Sequence, residues 1–177
     1  MSLPTSHKQF LSYYRQLMSD AGGDIPYRSK LRPSDIKPLL PWVTMAERQG
    51  TRHLIPTIVG SAIDDVLQAS FTGVNLFDFM PKEVADRFDA FYTNITDIPC
   101  CGHMVRTLAG ENGLMRGYHS TQLPLRSASG QIDRLVGIVS VSKEQPLLTE
   151  FGKPQDIQTV DITAEDYIDL GFGVPKL

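Results

Sequence analysis

Three of the four histidines have the residue type and the setting to ligate a metal or to move a proton. His103 and His119 lie on two predicted strands, from which either imidazole could face a pocket and bind haem iron or act as a proton switch. His53 is the third candidate, whereas His7 is expected to be solvated at the start of a helix. A strand histidine is more often a hydrogen-bonded or exposed polar residue, so axial ligation is the minority expectation.

Two arginines on neighbouring predicted strands are candidates for binding an acidic ligand. Arg106 and Arg116 lie among apolar residues, and a guanidinium group can bind a carboxylate through two parallel hydrogen bonds. The favoured alternative places both on the solvent side of the sheet, where they would pair with acids. Tyr118 and Trp42 could line the same pocket, although core packing explains them equally well.

The two cysteines and the paired aspartates do not form a recognisable catalytic or metal site. Cys100 and Cys101 are neighbours, a spacing at which disulfides are rare, and no second pair completes a zinc site. The aspartates at 64–65 and at 86 and 89 fit helix surfaces better than an acid–base pair. With no Ser/His/Asp set or phosphate-binding loop either, the sequence predicts no catalytic residue, no metal and no enzyme.

The charge balance and the lack of long apolar runs narrow the range of partners. The chain carries 17 basic and 20 acidic residues, for a formal net charge of −3, without a basic cluster. Nucleic acid and anionic membranes attract basic surfaces, so neither is expected as a partner. No run approaches the roughly 20 apolar residues of a membrane span, and no signal-peptide core is recognisable. A cytoplasmic location is expected.

An apolar stripe predicts a helix over residues 6–21, which the glycines at 22 and 23 end. The stripe includes Phe10, Tyr13, Tyr14 and Leu17. It must be buried, either on the chain's own sheet or on a second copy of the protein. Because a proline-rich and mostly extended linker follows over residues 24–41, we expect the stripe to form a homodimer interface.

The order of the remaining elements predicts an α+β fold, with a five-stranded antiparallel sheet and helices on one face. Strands are predicted at 42–47, 53–59, 102–108, 114–125 and 132–141, turns at 109–113 and 127–131, helices at 63–67 and 81–95, and one further strand is conceivable at 157–162. The space between the sheet and the helices is a natural ligand pocket. Phe77, Phe88 and Phe91 join the candidates for its lining.

Several short strings, in their order and spacing, resemble those of PAS domains. They are Ile58-Val59-Gly60-Ser61, Thr72-Gly73-Val74-Asn75-Leu76, Leu123-Pro124-Leu125, Gly130-Gln131-Ile132 and Leu135-Val136-Gly137-Ile138-Val139. A bacterial group of stand-alone PAS proteins is similar also in its N-terminal helix, in Leu31-Arg32-Pro33 leading to Leu40-Pro41, and in a closing segment like 167–175. The resemblance implies a helix and linker over 1–32, a PAS-like sensor domain over 33–145 and a C-terminal extension over 146–177.

The resemblance also bears on cofactors. PAS domains sense small molecules, light or redox state and mediate protein–protein contacts, and many of them bind haem or flavin. The photoactive flavin subclass carries an adduct-forming cysteine, which the corresponding segment Asn75-Leu76-Phe77-Asp78-Phe79 lacks. No cofactor is therefore predicted, and haem and adduct-free flavin stay open as alternatives.

The predicted function is that of a non-enzymatic PAS sensor or adaptor in bacterial signal transduction. An unknown small molecule would occupy the pocket, and a separate signalling protein would carry the output, reached through the N-terminal helix or the outer face of the sheet. Two alternatives stay open. One is a small α+β isomerase or hydratase in which His103 or His119 moves protons, and the other is a structural interaction domain with a filled core.

Overall fold

The computed structural model describes residues 3–110, 113–142 and 146–176. Six strands form one antiparallel sheet in the order β2-β1-β5-β4-β3-β6. They are β1 (Val43–Arg48), β2 (Leu54–Val59), β3 (Cys100–Ala109), β4 (Met115–Arg126), β5 (Ile132–Val141) and β6 (Gln158–Asp169). The predicted α+β class is confirmed and the arrangement is PAS-like, with six strands in place of the expected five.

The α-helices of the described ranges begin and end within two residues of the predicted bounds. They are α1 (Thr5–Asp20), α2 (Ser61–Leu67) and α3 (Lys82–Asp97). After α1, Gly22 and Gly23 adopt φ values of 72° and 91°, which glycine tolerates best, and the Gly23 N–H donates to the carbonyl of Met18 at 2.8 Å. Over the described residues, no helix combines the length and the apolarity needed to cross a bilayer.

Alternation along β3 separates the two faces of the sheet. Met104, Arg106 and Leu108 point to the face that α2 and α3 cover. Cys101 and His103 point to the opposite face, which α1 covers. We call the first the cavity face and the second the α1 face. The two faces carry different side chains from the same strands, so each strand residue belongs to one face only.

Helix α1 lies across the α1 face of its own chain. Phe10 and Tyr14 are 0% exposed, and the Tyr14 hydroxyl donates to the carbonyl of Pro124 at 2.5 Å. The buried sheet residues in the same cluster are Val43, Cys101, Leu123, Leu125, Val136 and Ile138. Apolar residues at helical spacing therefore bury their stripe within one chain, which is the first of the two arrangements considered from sequence.

This packing corrects the proposed dimer interface. Phe10, Tyr14 and Leu17 are buried inside the single chain, and the Tyr13 hydroxyl accepts a 2.8 Å hydrogen bond from the Arg32 N–H. The stripe is therefore already covered and is not available to a second copy in this arrangement. Homodimerisation itself stays a prediction.

The linker after α1 is more helical than expected. Short 3₁₀ segments cover Arg28–Lys30 and Pro33–Trp42, the second with a kink at Ile36. Proline fixes φ near the 3₁₀ value, and the short hydrogen-bonding pattern tolerates its missing N–H, so a proline-rich stretch can fold in this way.

The C-terminal extension completes the sheet. Strand β6 pairs with β3 along its whole length, from Ala109 to Cys100, and is longer than the strand considered at 157–162. The predicted turn at 109–113 includes residues 111 and 112. The predicted end of the sensor domain, at residue 145, falls within residues 143–145. These residues lie outside the described ranges.

Candidate functional site

A cavity of about 90 Å³ lies between the cavity face of the sheet and the segments that cover it. Its apolar lining residues are Ala46, Leu54, Pro56, Val59, Ile63, Leu67, Phe71, Leu76, Phe79, Met80, Leu108 and Ile157. Its polar lining residues are Thr44, Tyr92, Arg106, Tyr118, Ser120, Gln122 and Thr159. An apolar wall with a few polar groups is the usual composition of a small-molecule site.

Arg106 is the single charged side chain among the described lining residues. Its guanidinium carbon lies 4.9 Å from the ring centroid of Phe88 and 4.7 Å from that of Tyr118, so the group is held between two aromatic faces. Nη1 donates to the hydroxyl of Thr159 over 3.3 Å, and Nε is buried with no hydrogen-bond partner in the described part of the chain. The cavity is therefore electropositive at this point.

Two tyrosines of the lining are neutral hydrogen-bonding groups. Burial raises the pKa of the Tyr92 and Tyr118 hydroxyls above the ordinary tyrosine value, and the charge of Arg106 partly opposes the shift in both. Both phenols are uncharged at physiological pH as a result. They can orient a ligand, but they do not neutralise Arg106.

Strand β4 supplies two further polar groups. Ser120 and Gln122 follow Tyr118 at a spacing of two residues and share its face. Beside them, β5 carries Gly137, where an added Cβ would lie 2.5 Å from Cδ of Gln122. Glycine at this position leaves room for the Gln122 amide beside the cavity.

The sequence-predicted pocket residues divide between the cavity and the core behind it. Arg106 and Tyr118 line the cavity. Phe88 lies against the guanidinium of Arg106, outside the lining. Phe77 and Phe91 belong to the same buried cluster as Phe88, and the rings of Phe77 and Phe88 meet edge to face at 5.5 Å. These phenylalanines shape the wall without reaching the cavity.

Two other candidates lie outside the lining. Trp42 is partly buried and packs against two buried clusters, the one that contains Phe10 and the one that contains Ile63. Arg116 is buried and donates to the carbonyl of Met115 at 2.7 Å. The pocket position predicted for Arg116 is therefore corrected to a place on β4 outside the cavity.

The histidines lie on the other side of the sheet from the cavity. His103 and His119 have their rings 6.0 Å apart on the α1 face, so their predicted place in the pocket is wrong. His7, expected to be solvated, is 0% exposed. Its Nδ1 is 2.8 Å from the Thr121 hydroxyl and its Nε2 is 3.1 Å from the Ser140 hydroxyl.

Thr121 joins α1 to β3 through these histidines. Nδ1 of His103 lies 2.9 Å from the same Thr121 hydroxyl, and the His7 and His103 rings are 5.6 Å apart. Burial, followed by the nearby histidines, lowers the pKa of His7 to about 3. Burial, followed by His119, lowers that of His103 to about 4. The described residues contain no cluster of His, Cys, Asp and Glu placed to hold a metal ion.

The cysteines are inert in this setting. Cys100 and Cys101 are free and fully buried, on opposite faces of β3. Burial is the main cause that raises the pKa of each thiol to about 12. Both are therefore protonated at neutral pH, and a protonated thiol is a poor nucleophile and a poor metal ligand.

Sequence reasoning missed several lining residues. Ser120 and Gln122 could have been found, because residues two and four positions after Tyr118 share its face on a strand. Thr159 could not, because it reaches the cavity through the pairing of β6 with β3, which no local pattern indicates.

Comparisons with known proteins find only distant structural similarity. No protein-family model matches the sequence, and no curated protein matches it either. Among solved structures, VqmA bound to DPO is similar with 12% identity and a TM-score of 0.43, over 55% of this chain and 51% of that one. A Vibrio cholerae VqmA dimer, described with LuxR-type receptors, gives 13% identity and 0.46, over 64% and 52%.

A third similar structure is a complex of VqmA from the same organism with ligand and DNA, at 14% identity and a TM-score of 0.46, over 64% of this chain and 52% of that one. This chain thus spans about half the length of the proteins it matches. At these identities the likeness concerns the fold alone. The expectation that nucleic acid is not a partner conflicts with the DNA in this complex, and it is withdrawn.

Proposed function

We propose that this chain is a non-enzymatic, PAS-like sensing module of bacterial signalling that binds a small molecule in the cavity. The observation that carries the proposal is the cavity itself, whose apolar wall holds one cationic side chain, Arg106, and several neutral hydrogen-bonding groups. Such a site can recognise a ligand by shape and by a few polar contacts. We place the protein in the cytoplasm and assign its output to a separate signalling protein.

The lining favours recognition over catalysis. Among the described lining residues there is no histidine and no carboxylate, so the cavity lacks the acid–base pair that an isomerase or hydratase would need. The two histidines considered for that role, His103 and His119, face α1 instead. The enzyme alternative therefore has no histidine and no carboxylate among the described lining residues to move a proton.

Strand β4 offers a route from the cavity to the opposite face. Ser120 and Gln122 line the cavity, and Thr121 between them meets His7 of α1 and His103 of β3. A ligand that shifts β4 would change the contacts that hold α1. The signal would then leave through α1. For this to occur, the ligand must bind the two arrangements of β4 and α1 with different affinity.

Partly filling the cavity should weaken ligand binding. Ala46 lies in the lining, and the larger side chain of the Ala46→Leu variant would occupy part of the cavity volume of about 90 Å³. In a thermal-shift screen, a compound at 100 times its dissociation constant should raise the melting temperature of the native chain by about 5–10 °C. The Ala46→Leu variant should lose most of that shift.

The matched control is Ala90→Leu, the same substitution at an exposed position of α3. It should retain the full thermal shift. If Ala46→Leu responds to the compound as strongly as Ala90→Leu does, the compound binds elsewhere and the cavity is not the sensing site.

A further inference from the structure

Among the described residues, Arg106 lacks the acidic partner that three other buried or half-buried arginines have. Arg48, Arg126 and Arg134 each form an ion pair, with Asp89, Asp24 and Glu47 respectively. Over the described residues, Arg106 forms none. Its guanidinium contacts two aromatic rings and the hydroxyls of Thr159 and Tyr118, and its buried Nε has no hydrogen-bond partner among the described residues.

A charge in this setting is only partly compensated. Arginine stays protonated in proteins, so the group cannot relieve its burial by losing a proton. Contacts with two aromatic faces recover only part of the lost hydration, and a buried charge normally requires an opposite charge as well. The protein therefore leaves a place for an anion at the cavity wall.

The rest of the cavity limits what that anion can be. Ile63, Leu67, Phe71 and Leu108 make the wall apolar, which suits a hydrocarbon chain and not a fully hydrated ion. Its volume of about 90 Å³ is below the roughly 150 Å³ of an apolar protein cavity that binds benzene. The ligand must therefore be short.

We infer that the cavity binds a short-chain aliphatic monocarboxylate, with its carboxylate on the guanidinium of Arg106 and its hydrocarbon chain against the apolar wall. This inference rests on the proposed sensing function and names the class of its ligand. A planar carboxylate matches the fork of a guanidinium group, and the neutral hydroxyls of Tyr118 and Thr159 stand beside it as further donors.

Isothermal titration of the full chain with sodium butyrate, at constant ionic strength, tests the inference. Butyramide is the matched probe, because it has nearly the same shape and no charge. Butyrate should bind roughly 10- to 100-fold more tightly than butyramide, the range expected for losing hydrogen bonds to a charged group. Inorganic phosphate, which is anionic but lacks a chain, should not compete with butyrate.

The variant Arg106→Gln should lose the preference for butyrate over butyramide. Arg116→Gln is the control, since Arg116 lies on the neighbouring strand outside the cavity and its variant should keep the preference. Circular dichroism shows whether each variant folds. If Arg106→Gln fails to fold, the comparison of butyrate with butyramide in the native chain still decides the matter.

Two results would overturn the inference. Equal affinity for butyrate and butyramide would show that the site does not recognise the carboxylate group. Competition by phosphate would show that the site binds anions in general. In either case a compound whose thermal shift is lost in Ala46→Leu would leave the sensing function standing. If no compound gives a shift that this variant removes, the sensing function itself fails.

Discussion

Replacing Phe10 with alanine is expected to lower the free energy of unfolding by about 3–5 kcal/mol, the range for removing a buried phenylalanine side chain. Phe10 is 0% exposed and packs α1 onto Leu123, Leu125 and Val136 of the sheet. The cost combines lost apolar contact with the cavity that alanine would leave. Urea unfolding, followed by far-UV circular dichroism, measures it.

The control for this substitution is Ser12→Ala, an exposed position on the same helix. It should change stability by less than about 0.5 kcal/mol. Both effects should be independent of protein concentration, because α1 packs within its own chain. A Phe10→Ala effect that disappears on dilution of both proteins would mean that the helix packs across two copies instead.

Acidification from pH 7 to pH 5 should destabilise the fold through His7 and His103. Their folded pKa values, about 3 and about 4, lie below the ordinary histidine value of 6.5. Between these limits the unfolded chain binds more protons than the folded one, so stability falls as the pH drops below 6.5. Allowing for solvent screening, each histidine should cost about 1–2 kcal/mol at pH 5.

The charged and titratable groups around these histidines also affect their protonation, so the control replaces both histidines and leaves those groups in place. His119 opposes protonation of both His7 and His103, and Asp166 of β6 favours it at His103. The double variant His7→Gln and His103→Gln keeps side chains that can hydrogen-bond with Thr121 and Ser140 but cannot titrate. Its stability should change much less between pH 7 and pH 5. An equally steep loss in the double variant would assign the acid sensitivity to other titrating groups.

Local patterns were sufficient for much of the fold. The apolar stripe of α1 and the period of α3 gave both helices, and the Gly-containing turns separated the strands β3, β4 and β5. Long-range pairing was not accessible in the same way. Strand β6 pairs with β3 across 49 to 69 residues of sequence, so the local pattern that left a strand open at 157–162 did not indicate that this strand would join the sheet.

Alternation along the strands explains which site predictions failed. His103 and Arg106 are separated by an odd number of positions on β3, and Tyr118 and His119 are neighbours on β4. On a regular strand the members of each pair face opposite sides of the sheet, so a pocket that contains Arg106 and Tyr118 excludes both histidines. The sequence contained this contradiction, although it did not show which pair faced the cavity.

The most direct test of recognition without chemistry is methyl NMR of the full chain during titration with a compound that raises its melting temperature. Val59, Ile63 and Leu67 line the cavity, and their methyl signals should shift as the compound binds. The signals of the compound should keep their integrals over a day of incubation. Unchanged cavity methyls, or steady conversion of the compound into a product, would contradict the account.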